Sequence, residues 1–250
     1  MGAESWLAGI GERLSGLGVT ASELSRAELD DLAPGIAPGL RGLLVREDWR
    51  LEPRSALAAL RGAASAAGVE FRAEPVSGRM EADWLVIATG AAQGLADVAP
   101  ELARLSPIKG QILRFAGRRG GRVSLRGQAA YAVPGADGLA VGATMEPGRS
   151  DTEIDPVALQ PLADAAGQLF PDLATAAFGV SAGVRAATPD GLPMAGLSQA
   201  RGVVLAVGAR RNGWLLAPLV ADVVAACIMG RESGPYAARL DPRRFEGRAR

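Results

Sequence analysis

GVVLAVGARRNGWLLAPLVADVVAACIMG (residues 202–230) decides the fold class. VVLAVG is a continuous apolar run closed by glycine, the pattern of a strand buried on both faces. The stretch from Asn212 onward reads as a long apolar core helix entered through a tight turn. A second run of the strand kind, WLVIATG (84–90), lies upstream. Before it, a helix begins after Pro53, carries Leu57, Leu60, Ala64 and Ala67 on one face and stops at Gly68. VEFRAEPV (69–76) has strand character. Helix, strand, turn, buried strand is an α/β signature, and WLVIATG and VVLAVG are expected to share one sheet.

Between these α/β stretches the pattern changes. IKGQILRFAG (108–117), RVSLRG (122–127), AAYAVPG (129–135) and LAVGATM (139–145) are short strand-like runs separated by glycine-rich turns, which predicts an antiparallel sheet. A helix follows from Pro156 to about Leu169, with proline in its first turn. FGVSAGVRAATPDGLPMAG (178–196) is a strand running into a turn made by Pro189, Asp190 and Gly191. At the other end, Leu7, Ile10, Leu14 and Leu17 recur at helical spacing and predict a helix over 4–16. Thr20 and Glu23 form a capping-box signature for a second helix reaching Leu32. The residues after Pro235 are charged and expected to pack loosely.

Composition removes whole classes of function. The chain of 250 residues is 48% apolar and 22% charged, an ordinary globular balance. Its 27 basic and 27 acidic residues cancel and aromatics are 4%, so no basic stripe invites nucleic acid. Histidine is absent, which excludes Ser-His-Asp and Cys-His catalysis and HExxH metal sites within this chain. The lone Cys227 excludes an internal disulfide and reads as a buried, unreactive thiol in a cytoplasmic protein. No metal site is expected. The longest apolar run carries Asp222 and Pro218 and falls short of the roughly 20 residues that span a bilayer.

Taken in order, five segments resemble the FAD-dependent D-amino-acid oxidase superfamily, and most closely its glycine oxidase-like branch. They are WLVIATGA (84–91), PIKGQ (107–111), YAVPGADGLAVGATME (131–146), AGVRAATPDGLPMAG (182–196) and VGARRNGWLLAP (207–218). The last two are the most specific, and the resemblance covers roughly residues 20–232. It implies a mixed α/β fold, a partial Rossmann-like FAD-binding layer with an inserted antiparallel-sheet substrate domain. On that reading residues 1–45 form an N-terminal helical segment and 46–95 the middle part of the FAD-binding domain. The substrate domain spans 96–180, the C-terminal part of the FAD-binding domain 181–235, and a tail 236–250. The family opens with a βαβ unit whose GxGxxG turn cradles the FAD pyrophosphate, and nothing here matches it. Ala209 stands where the family usually has histidine, Arg210 where it has an aromatic residue, and Ala186 where it has proline.

The resemblance implies oxidation of a small amino acid or secondary amine. A hydride passes from the substrate Cα–H to flavin N5, and the resulting imine hydrolyses to an oxo acid. The cofactor carries the chemistry, so a chain without histidine is compatible with it. A carboxylate substrate needs a cation, and arginine's planar fork suits it. By resemblance that residue is Arg185, with Arg211 and Tyr131 as further catalytic candidates. A strand arginine also serves as a salt bridge and a strand tyrosine as packing, and the residues alone leave these readings open. The resemblance places Val76, Thr89, Gly90, Gly183, Gly208, Arg210, Arg211, Asn212, Gly213, Trp214 and Leu215 at the cofactor. There Gly208 and Gly213 permit close backbone approach. The N-terminus of the helix after Asn212 is an electropositive end for the reduced flavin. A different class of function is a non-catalytic or truncated subunit, homo-oligomeric or paired with a partner chain that supplies the missing dinucleotide-binding segment.

Overall fold

The structure, a computed structural model, describes residues 3–246. In chain order its main elements are α1 (Ala3–Gly16), β1 (Ala21–Glu23), α2 (Arg26–Leu32), β2 (Leu43–Val45), α3 (Pro53–Ala66) and β3 (Leu85–Ile87). Then come β4 (Ser106–Ala116), β5 (Leu125–Arg126), β6 (Tyr131–Gly135), β7 (Gly138–Gly142), β8 (Glu146–Pro147) and α4 (Pro156–Leu169). The chain closes with β9 (Gly179–Ala187), β10 (Met194–Leu197), β11 (Val203–Val207), α5 (Gly213–Met229) and α6 (Ala237–Leu240). They divide between two compact units, one of residues 1–72, 111–144 and 154–181, the other of 73–110, 145–153 and 182–250.

The first unit holds the antiparallel β5–β6–β7 ladder with the second half of β4. Its alternating inward residues Leu113, Phe115, Leu139 and Val141 meet Leu159, Leu162 and Ala166 of α4 in one core. α4 begins where expected because Pro156 sits in the first turn and Asp155 accepts from the amides of Val157 (3.0 Å) and Ala158 (3.2 Å). The second helix starts later than its signature at Thr20 and Glu23 suggests. The capping box is built by Ser25 and Glu28, because Ala21–Glu23 is drawn into an antiparallel pair with Leu43–Val45. α3 forms over the expected residues but buries none of them, and Leu57 and Leu60 are exposed.

In the second unit β3 and β11 are parallel neighbours, with Leu85 opposite Val203 and Ile87 opposite Leu205, and β10 pairs antiparallel to β11. WLVIATG and VVLAVG therefore share a sheet as expected. Ile87, Val203, Leu205 and Met194 form its core with Leu102 and Leu105. VEFRAEPV makes no strand: 69–76 is irregular, and Val69, Phe71 and Val76 are exposed. Strand-type residues hold a strand only when a neighbour accepts their backbone, and β3 is the edge of its sheet.

α5 runs from Gly213 to a left-handed Gly230 (φ +62°), but it is not the fully buried helix its composition suggests. Val223 and Ala226 are buried while Trp214 and Leu215 are exposed, and Cys227 is half-buried rather than buried. The tail is a larger correction. Leu240 and Phe245 are buried, and Arg244 bonds Asp190 (2.8 Å) and the Leu192 carbonyl (2.8 Å). No described helix is long and apolar enough to cross a membrane.

Candidate functional site

β9 pairs with β4, and Arg185 on β9 lays its guanidinium against Gly110 on β4. A Cβ at residue 110 would stand 2.6 Å from Arg185 Cζ and overlap both Nη atoms, so the glycine of PIKGQ is the slot for this arginine. Arg185 Nη1 is buried with no hydrogen-bond partner. A desolvated charged donor left unpaired costs about 1–3 kcal/mol or more. Arg185 thus makes none of the salt bridges that a strand arginine ordinarily makes. Gly183, two residues earlier on β9, is exposed with open space around its Cα.

The loop after β11 is tied to the same strand. Ala209 bridges Ala187, and the Arg210 amide donates to the Ala186 carbonyl at 2.9 Å. Gly208 (φ +80°) must be glycine, since a Cβ would lie 2.7 Å from Thr188 Cγ2. Arg210 is the one described non-glycine residue at positive φ (+49°), and its Nη2 lies 3.7 Å from Met145 Sδ. Arg211 is exposed. Asn212 stands at the N-cap of α5 without a side-chain cap bond, so the amides of Gly213, Trp214 and Leu215 are offered outward by an exposed first turn.

Val76 and Thr89 come together although they lie on separate segments. With Ala92, Gly94 and Leu95 they line a cleft of about 260 Å³. Thr89 Oγ1 donates to the Ala92 carbonyl (3.2 Å), and Gly90 makes the turn at φ +63°. A second cavity, about 350 Å³, lies beside Cys227, Gly230 and Ala237 and contains none of the expected residues. Tyr131 belongs to the first unit, opposite Gly142 on β7, whose missing Cβ leaves room for the phenol.

One cluster was not anticipated. Lys109, the sole lysine, is fully buried, with Nζ 2.6 Å from Asp151 Oδ1 and 3.8 Å from Glu146 Oε2. Arg149 Nε bonds Asp151 at 2.6 Å, and its Nη1 lies 3.7 Å from Glu146. Arg149 and Lys109 hold the Asp151 carboxyl well below the usual carboxylate range. Arg244 likewise lowers Asp190 to about 2. A lone lysine inside an apolar strand was the available signal; its partners, 37 and 42 residues onward, were not legible from spacing. Among the described residues no cluster of acidic residues and cysteine could hold a metal.

Known proteins are similar to this chain in sequence and in fold. The bifunctional protein ThiO/ThiG of Synechocystis is 31% identical over 227 residues, covering 80% of this chain and 34% of that protein. The tRNA 5-methylaminomethyl-2-thiouridine biosynthesis bifunctional protein MnmC of Caulobacter vibrioides is 36% identical over 154 residues, covering 59% of this chain and 24% of its own. The crystal structure of glycine oxidase from Geobacillus kaustophilus superposes with a TM-score of 0.78 at 27% identity, covering 94% of this chain and 70% of that one. The chain thus spans about a third of the length of the curated relatives it matches first. The model of the FAD-dependent oxidoreductase family, DAO, matches residues 2–227, and the chain belongs to that family.

Proposed function

We propose that this chain serves an FAD-dependent amine oxidase or dehydrogenase activity on a small amino acid or secondary amine, of the glycine oxidase type. The observation that carries the reading is Arg185, whose buried Nη1 has no partner and whose guanidinium is seated on Gly110. Such a fork binds a carboxylate through two parallel bonds and thereby orients the Cα–H of the substrate. The residues fit the flavin. The exposed, uncapped start of α5 at Gly213–Leu215 suits an anion, Gly208 allows close approach, and the cleft at Val76 and Thr89 suits an apolar ring. Bound FAD would accept the electrons of the Cα–H bond, and the imine so formed hydrolyses to an oxo acid. In this organisation 46–95 and 181–235 serve the cofactor and 96–180 the substrate. The single Cys227 suits the reducing cytoplasm. Replacing Arg185 by Ala in the flavin-loaded protein should abolish turnover of amino acids and leave the flavin spectrum intact. Wild-type turnover in that variant would refute the assignment.

A second reading concerns assembly, and it rests on the free edge of β3 beside the unladdered segment 69–76. On it, the dinucleotide-binding segment that covers this edge comes from further sequence or from a partner chain. The 250-residue chain should then purify with substoichiometric FAD, and adding the segment should restore the visible absorbance. A full complement of tightly held flavin on the chain alone contradicts this reading.

A further inference from the structure

The family model ends at residue 227, yet the tail beyond it is bonded into the second unit at one dense point, Arg244. A guanidinium has five N–H groups, and Arg244 uses all of them. Nε and one Nη2 proton take the two oxygens of Asp190 (2.8 and 3.1 Å), and the other Nη2 proton takes the Leu192 carbonyl (2.8 Å). The Nη1 protons return to the Leu240 and Asp241 carbonyls (2.9 and 3.1 Å), so the fork ties the end of α6 to the turn at 188–192. Its plane lies over Phe245, 4.2 Å from the ring centre, and Phe245 is buried in the core with Ile87 and Leu102. Leu240 and Phe245 would hold the tail by burial alone. The fork adds orientation, and what it orients is the turn.

That turn is in contact with the loop after β11. Asp190 Oδ1 accepts from the Leu192 amide (3.1 Å) and lies 3.1 Å from Thr188 Oγ1, which donates to the Leu192 carbonyl at 2.6 Å. Thr188 is buried, and its Cγ2 is the atom that leaves no room for a Cβ at Gly208. Just before the turn, the Ala186 carbonyl takes the Arg210 amide and Ala187 bridges Ala209. Contacts therefore run without a break from Arg244 through Asp190 and Thr188 to Gly208, and that loop ends at Asn212, the N-cap of α5. The Asp190 side chain is about a third exposed, so water screens the ion pair and its contribution to global stability is small. Its two-point geometry still sets where the turn sits.

We propose that Arg244 is a positioning residue for the flavin side of the site: through Asp190 and Thr188 it fixes the loop 208–212 and with it the start of α5. This deepens the reading above and rests on its assignment of that loop to the flavin. It gives a role in the site to a residue beyond the part that the family model matches. A tail that merely closed the core would leave the Arg210 and Asn212 amides indifferent to Arg244.

The test is amide hydrogen exchange of the 250-residue chain, read at Arg210 and Asn212, whose amides donate to Ala186 and Ala209. Arg244→Lys keeps the charge and loses the fork, while Asp190→Asn leaves every tail residue in place and removes the carboxylate. In both variants exchange at these two amides should rise at least about tenfold, the size of a charge-assisted contact, with strand Val203–Val207 exchanging as in the parent. From the flavin-loaded protein, FAD should dissociate about tenfold more readily in both. Unchanged exchange in the loop, equal acceleration of loop and strand, or a loosened loop that holds FAD as before would overturn the proposal. Should the flavin-loaded parent oxidise no amine while both variants loosen the loop and the flavin, the oxidase reading fails and the role of Arg244 stands. Normal amine oxidation beside an unchanged loop gives the reverse.

Discussion

Two faces of one ladder treat the same kind of charge in opposite ways. On the first, Lys109 is fully buried, and Asp151, Glu146 and Arg149 surround it so that two cations meet two anions. Beside Gly110, the next residue of β4, Arg185 has no anion among the described residues, and its Nη1 is buried without a hydrogen-bond partner. A fold that can place carboxylates 37 and 42 residues along the chain beside its only lysine could place them beside an arginine. Buried charge without compensation is costly, and that cost at Arg185 is the ground on which a carboxylate ligand is proposed for it.

The sharpest way to break this comparison is to delete one cation from each face. Lys109→Met removes the buried cation and leaves Glu146 with Asp151 and Arg149, which are partly open to water. Breaking a fully buried pair by removing one member costs about 3–5 kcal/mol, and the partial exposure of the partners here reduces the loss to roughly 1–3 kcal/mol. Arg185→Met removes a buried donor that already lacks a partner, and should leave the fold as stable as the parent or up to about 1–3 kcal/mol more stable. Urea denaturation of the two variants checks this through their midpoints. Equal losses would mean that Arg185 is as structural as Lys109, and the distinction between the faces would fall.

The same contrast explains what was legible in the residues. Local signals were read correctly where they needed no distant partner. Pro156 and Asp155 start α4, Gly68 (φ +87°) ends the helix from Pro53, and Pro189, Asp190 and Gly191 make a turn. VVLAVG and WLVIATG were visible as apolar runs, and their pairing followed from the α/β pattern, but only VVLAVG is buried on both faces: WLVIATG is the edge strand and Val86 is exposed. What failed depended on tertiary context. Thr20 and Glu23 lost their helix because Leu43–Val45 offered a strand partner. VEFRAEPV has strand residues and no ladder, and the charged tail hides Leu240 and Phe245, which reach the core. At the site, motif order singled out Arg185 and Gly208. It did not show why PIKGQ needs its glycine, because that reason is the guanidinium of a residue 75 positions away.

The smallest expected effect sharpens the comparison from the uncompensated side. Arg210 holds φ +49°, a left-handed conformation that costs a residue with a Cβ about 1 kcal/mol and glycine almost nothing. Its side chain is exposed and its Nη2 meets only Met145 Sδ at 3.7 Å, so little packing is lost with it. Arg210→Gly removes the backbone penalty, while glycine's extra freedom in the unfolded chain takes part of the gain back. The variant without ligand should therefore be more stable than the parent by about 0.5–1 kcal/mol, read as a higher midpoint of thermal or urea unfolding. Most surface substitutions do nothing or destabilise, so a gain here is specific. A loss of stability would show that Arg210 is held by contacts within the fold, as Lys109 is.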